Sequence, residues 1–139
     1  MTVALGRKAV LDLAAARVAM AACEAEAVKN HWKVVIAVVD DGGHPVLVQR
    51  LDGAQWSSVE TAIGKARTCV AFKRPTRVLE EMINAGRTAF LSIPGGMTFL
   101  QGGVPIEVEG AIVGAIGVSG VKASDDEIIA LAGVRAVTG

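Results

Sequence analysis

The chain has 139 residues, enough for one domain with a core of its own, and its 14 basic and 14 acidic residues cancel. Neutral balance leaves no basic field for nucleic acid or anionic lipid, and two cysteines make no disulfide framework. Hydrophobic residues reach 52% with only 4% aromatic, an excess that points to apolar surface hidden in a homo-oligomer.

The first apolar stretch, broken by Arg7, Lys8, Asp12 and Arg17, is too charged for a signal peptide or a membrane span, so a cytoplasmic location is expected. Val3 to about Asn30 reads as an alanine-rich helix whose core face is Leu11, Ala14, Ala15, Val18, Ala22 and Ala25. Val34 to Asp40 is a strand, apolar on both faces. Asp41-Gly42-Gly43-His44-Pro45 turns it back into a second strand, Val46 to Leu51, with Ile36 facing Gln49 and Val38 facing Leu47. Arg50, at the end of that strand, calls for a carboxylate or an anionic ligand if it is buried. Asp52-Gly53 ends the hairpin.

Ser57 and Glu60 have the spacing of a capping box, opening a helix to about Arg74 with a stripe of Val59, Ala62, Ile63, Ala66 and Val70. Lys65 and Arg67 fall off the stripe and are candidates for holding an anion. Thr76 is expected to cap a shorter helix that closes near Gly86. Arg87 to Gly103, punctuated by Pro94-Gly95-Gly96 and Gln101-Gly102-Gly103, reads as a binding loop or as a concealed short strand near Met97 to Leu100. Val104 to Glu109 turns at Glu109-Gly110 into the uncharged run Gly110 to Gly120. In that run Ala111, Val113, Ala115, Gly117 and Ser119 share one nearly bare face, suited to close helix packing or to a flat ligand. Ser124 and Glu127 have the spacing of a second capping box, before a helix to about Val134. The order of elements gives a single α+β domain over 1–139, mainly antiparallel.

No Walker loop, dinucleotide fingerprint, nucleophile elbow or C-x-x-C is present. His31 and His44 are too few for an all-protein zinc site unless Asp40, Asp41 or Asp52 joins them. Either histidine, or Met97, can serve as a lone axial haem ligand, His44 being favoured for its place on a glycine-rich turn. Acid–base work would draw on Asp40, His44 and Asp52 beside Arg50, Lys65 and Arg67. Gly102, Gly103 and Ser119 offer backbone N–H groups and a hydroxyl to a ligand.

Asp40-Asp41-Gly42-Gly43-His44-Pro45, Arg50-Leu51-Asp52-Gly53-Ala54, Lys65-Ala66-Arg67-Thr68, Arg74-Pro75-Thr76, Gly102-Gly103-Val104-Pro105-Ile106 and Gly114-Ala115-Ile116-Gly117-Val118-Ser119-Gly120 occur in the order seen in the GlcG/HbpS-like family, which the chain resembles along nearly its whole length. The resemblance implies a profilin-like α+β fold, a five-stranded antiparallel sheet flanked by helices, its fifth strand drawn from Arg87–Gly103. It also implies a homo-oligomer that binds a small ligand, haem or a related flat cofactor. The alternative it carries is a small cofactor-independent enzyme for a 2-hydroxy, 2-oxo or dienoic acid in glycolate or aromatic catabolism. A third reading is an assembly partner without a ligand.

Overall fold

The computed structural model describes all of residues 1–139. Its elements are α1 (Leu13–Lys29), β1 (Val35–Asp40), β2 (Pro45–Arg50), α2 (Ser57–Phe72), α3 (Thr76–Asn84), a 3₁₀ turn (Thr88–Ser92), β3 (Gly103–Val108), β4 (Ala111–Ser119) and α4 (Ala123–Thr138). The strands form one sheet in the order β2-β1-β4-β3, and every neighbouring pair is antiparallel. No helix is long and apolar enough to cross a membrane.

β1 and β4 occupy the centre because they are the strands apolar on both faces. One face of the sheet carries Val34, Ile36, Val38, Ile106, Ile116 and Val118, covered by α1 and α4 through Ala16, Ala19, Cys23 and Ile129. The opposite face carries Val35, Ala37, Val39 and Ala115, covered by Ala62, Ala66 and Cys69 of α2. The outer strands β2 and β3 each carry a proline, Pro45 and Pro105. The register of the first hairpin is as expected, Ile36 opposite Gln49 and Val38 opposite Leu47.

The sheet has four strands, not five. Arg87–Gly103 supplies none, because its side chains are drawn toward α2 rather than to a sheet edge. Phe90 and Phe99 pack against Phe72 with centroids 5.9 and 5.8 Å away. The Thr98 N–H donates to Thr68 Oγ1 at 2.8 Å. Left-handed Gly95 and Gly96 (φ 100° and 67°) bend the chain between these anchors.

The first helix starts ten residues later than Val3, at Leu13, where the Asp12 carboxylate accepts the Ala15 N–H at 2.9 Å. Its buried stripe is Ala16, Ala19, Met20, Cys23 and Ala27, while Ala14, Val18 and Ala25 face outward. Alanine on every side removes the contrast that periodicity needs. Neither expected capping box forms. Trp56 is already helical (φ −67°, ψ −25°), which puts Ser57 inside α2, and Lys122 takes the cap position of α4. Glu127 is instead 3.5 Å from the Arg77 guanidinium.

Thr76 does not cap its helix either. Its buried hydroxyl accepts the Gly103 N–H at 2.9 Å and so fixes the start of β3. Thr76→Val should therefore cost about 1–3 kcal/mol, the penalty of an orphaned buried donor, measured as a lower urea midpoint.

The small-residue face of β4 is filled by protein. At Gly117 a Cβ would fall on the Ala62 carbonyl oxygen, so the expected room for a flat ligand there is taken by the α2 backbone. Val113 leaves that face as well. The register shifts between Ile106 and Glu107, leaving Val113 as the extra residue of a bulge, and it packs with the cluster on the α1 and α4 side.

Candidate functional site

The residues singled out from sequence do not converge. The structure distributes them over four places, one of them the groove that holds Met97. The first is internal. Lys65 is 3% exposed, and its Nζ donates to Val118 O at 2.8 Å and to Asp126 Oδ2 at 3.1 Å. Burial pushes the Asp126 carboxyl above its ordinary value, against the pull of the Lys65 charge and the Val121 N–H. Gly102 and Gly103 belong to this packing. A Cβ on Gly102 would lie 2.7 Å from Lys65 Nζ, and one on Gly103 would lie 2.6 Å from Lys65 O. Ser119 is buried, its Oγ 3.3 Å from that of Ser58. Lys65, Gly102, Gly103 and Ser119 thus hold one another and α4 in place.

The second place is the turn after β1. Asp40 accepts the N–H groups of Gly42 and His44 at 2.9 and 3.0 Å, and the His44 N–H is the main reason its carboxyl sits below its ordinary value. The His44 ring is 82% exposed, with Nδ1 3.6 Å from Asp40 Oδ1. Arg67 is exposed, and its side-chain stem packs on Gly43, while Lys8 pairs with Asp41.

The third place lies at the other end of the hairpin, about 17 Å away by strand rise. Arg50, opposite Val35, ends an outer strand and is exposed, so it requires no buried partner. Asp52 is exposed too. It borders a cleft of about 370 Å³ with Glu24, Val28, His31, Trp32, Lys33 and Leu51. That cleft is built by the end of α1. The Trp32 N–H donates to Ala27 O at 2.9 Å and the His31 N–H to Val28 O at 3.1 Å, which is a Schellman closure. The position that glycine usually fills is His31, at φ 60°. Lys33 then crosses Gly53, where a Cβ would lie 2.8 Å from its Cδ.

Both cysteines are internal, and burial pushes the thiols of Cys23 and Cys69 up to about 12, so they are inert. No group of three or more His, Cys, Asp or Glu side chains is placed to hold a metal ion.

The family model described as "Haem degrading protein HbpS-like" matches residues 11–135. The chain belongs to the HbpS-like family. GlcG of Escherichia coli (strain K12) is 46% identical over 112 residues, covering 81% of this chain and 83% of GlcG. The crystal structure of a double mutant of Streptomyces reticuli HbpS superposes with a TM-score of 0.89 at 36% identity, over 97% of this chain and 92% of that one. A crystal structure of a PduOC complex with haem gives 0.83 at 26% identity, over 92% and 95% of the two chains.

In this HbpS-like chain the three candidate axial ligands differ in what surrounds them. Haem needs an iron ligand, apolar walls and cations for its propionates. His44 has the ligand and no wall, since it projects from a polar turn into solvent. Met97 lies in an apolar groove with Ile83, Leu91, Phe99 and Leu100, but the only charged residue lining that groove is Glu80, and the Thr68 hydroxyl approaches the Met97 sulfur at 3.8 Å. The His31 cleft brings together an imidazole, an indole, two aliphatic side chains and the Lys33 ammonium, with the carboxylates of Glu24 and Asp52 beside them. The partner of Lys65, Asp126, and the true role of Thr76 were not legible, because the groups they meet are 61 and 27 residues distant in the chain. Trp32 carried a weak signal, being one of only two tryptophans.

Proposed function

We propose that this chain is a haem-binding protein that works as a homo-oligomer, with His31 as axial ligand, Trp32, Val28 and Leu51 as apolar wall, and Lys33 for a propionate. The observation that carries this reading is His31 in the left-handed region, lining a cleft with Trp32, Val28 and Leu51. A bulky residue where glycine fits better marks a position held for its side chain. The cleft has one wall in a single protomer. Val28 (61% exposed) and Val18 (50%) on the outer side of α1 are the surface from which a second copy would supply the other.

The organic-acid enzyme is the weaker reading. Its cations stand apart, with Lys65 neutralised inside, Arg67 at one end of the hairpin and Arg50 at the other.

Haemin titration followed at the Soret band tests the proposal. Wild type and His44→Ala should both shift the band, whereas His31→Gly should lose at least about 10-fold in affinity. Glycine relieves the left-handed backbone, so His31→Gly should stay within about 1 kcal/mol of wild type in stability, and the loss is then not unfolding. Unchanged binding by His31→Gly, or its loss in His44→Ala alone, would overturn the assignment.

A further inference from the structure

A second cleft, of about 500 Å³, opens beyond the other end of β1 from the His31 cleft. It is lined by Val70, Ala111 and Ile112 together with the charged Asp41, Lys73 and Glu107. The two charges come from different elements, Lys73 from the end of α2 and Glu107 from β3. Lys73 ends α2 in the left-handed region at φ 56°, a conformation that a side chain other than glycine adopts at a cost. Glu107, exposed on β3, pairs with Ile112 next to the bulge at Val113.

The charges face a common space without pairing across it. Asp41 is engaged by Lys8, while neither Lys73 nor Glu107 comes within 4.0 Å of an opposite charge. An ammonium and a carboxylate that line one cleft with three apolar side chains match a small molecule that carries both charges in the reverse sense. We propose that this cleft binds a small aliphatic amino acid as its zwitterion. The ligand's ammonium meets Glu107, its carboxylate meets Lys73, and its side chain covers Val70, Ala111 and Ile112. Charge-assisted contacts at both ends set the requirement for a dipolar ligand, and the apolar lining sets the requirement for an apolar side chain.

Calorimetric titration of the full chain with leucine tests this, beside the amine and the acid obtained by deleting either charged group of leucine. Leucine should bind, and each single-charge analogue should bind at least about 10-fold more weakly. Glu107→Gln and Lys73→Gly should each weaken leucine by a similar factor while keeping the wild-type melting temperature and haemin titration. The glycine variant relaxes the left-handed residue, so folding is not at risk. The proposal fails if leucine does not saturate the protein by about 10 mM, where a complex of millimolar Kd is nearly full. It fails equally if an analogue binds as well as leucine, or if both variants bind leucine unchanged.

Discussion

Asp126→Asn should lower the unfolding free energy by about 3–5 kcal/mol at neutral pH, because it leaves the Lys65 ammonium buried without its counter-charge. The substitution keeps size and an acceptor for the Val121 N–H, so little else changes. Lys65→Met combined with Asp126→Leu should recover the loss, since apolar side chains of similar volume replace such a pair at no cost or with a gain of about 1–4 kcal/mol. Urea unfolding of the two single variants and the double variant measures the coupling, and a double variant no more stable than the singles would contradict it. The pair also fixes the sign of a pH effect. Burial makes the Asp126 carboxyl keep its proton to higher pH in the fold than in the unfolded chain. Between the ordinary value of 3.8 and the raised one the folded state binds more protons, so this group's contribution to stability falls as pH rises. Asp40, shifted downward, has the opposite sign. Its contribution is full above 3.8 and is lost as pH drops through its depressed value.

Gly117→Ala is expected to cost about 3 kcal/mol, at the upper end for an inserted methyl, because the obstacle is backbone. The added Cβ meets the Ala62 carbonyl, and lies 2.7 Å from the Ala66 amide, so no side-chain rotation relieves it. α2 must lift away from β4 or the strand must bow. Gly6→Ala, with nothing within 4 Å of its Cβ, is the control and should be neutral. Thermal unfolding of both variants checks the contrast, and equal melting temperatures would mean that the helix does not rest on this strand.

What could be read from the sequence follows a physical division. Unbroken apolar runs specified β1 and β4, and a glycine-rich turn before Pro45 set the hairpin register, because those signals are local. Lys65 could not be read. Periodicity places a charge outward by default, and the carboxylate that draws it inward is on α4, 61 residues later. The stripe of α1 was illegible for a different reason, since alanine packs equally well on any side. The Arg87–Gly103 stretch was open because three phenylalanines, at 72, 90 and 99, have no common period yet meet as one ring cluster. His31 was visible as a candidate ligand, but its cleft depends on how α1 closes.

The prolines on the two outer strands bear on what the margins of the sheet can bind. A border strand with free N–H and C=O groups is a template onto which another chain can zip. Pro45 removes a donor from one border and Pro105 from the other. Lateral growth into a continuous ribbon is thereby discouraged at both margins.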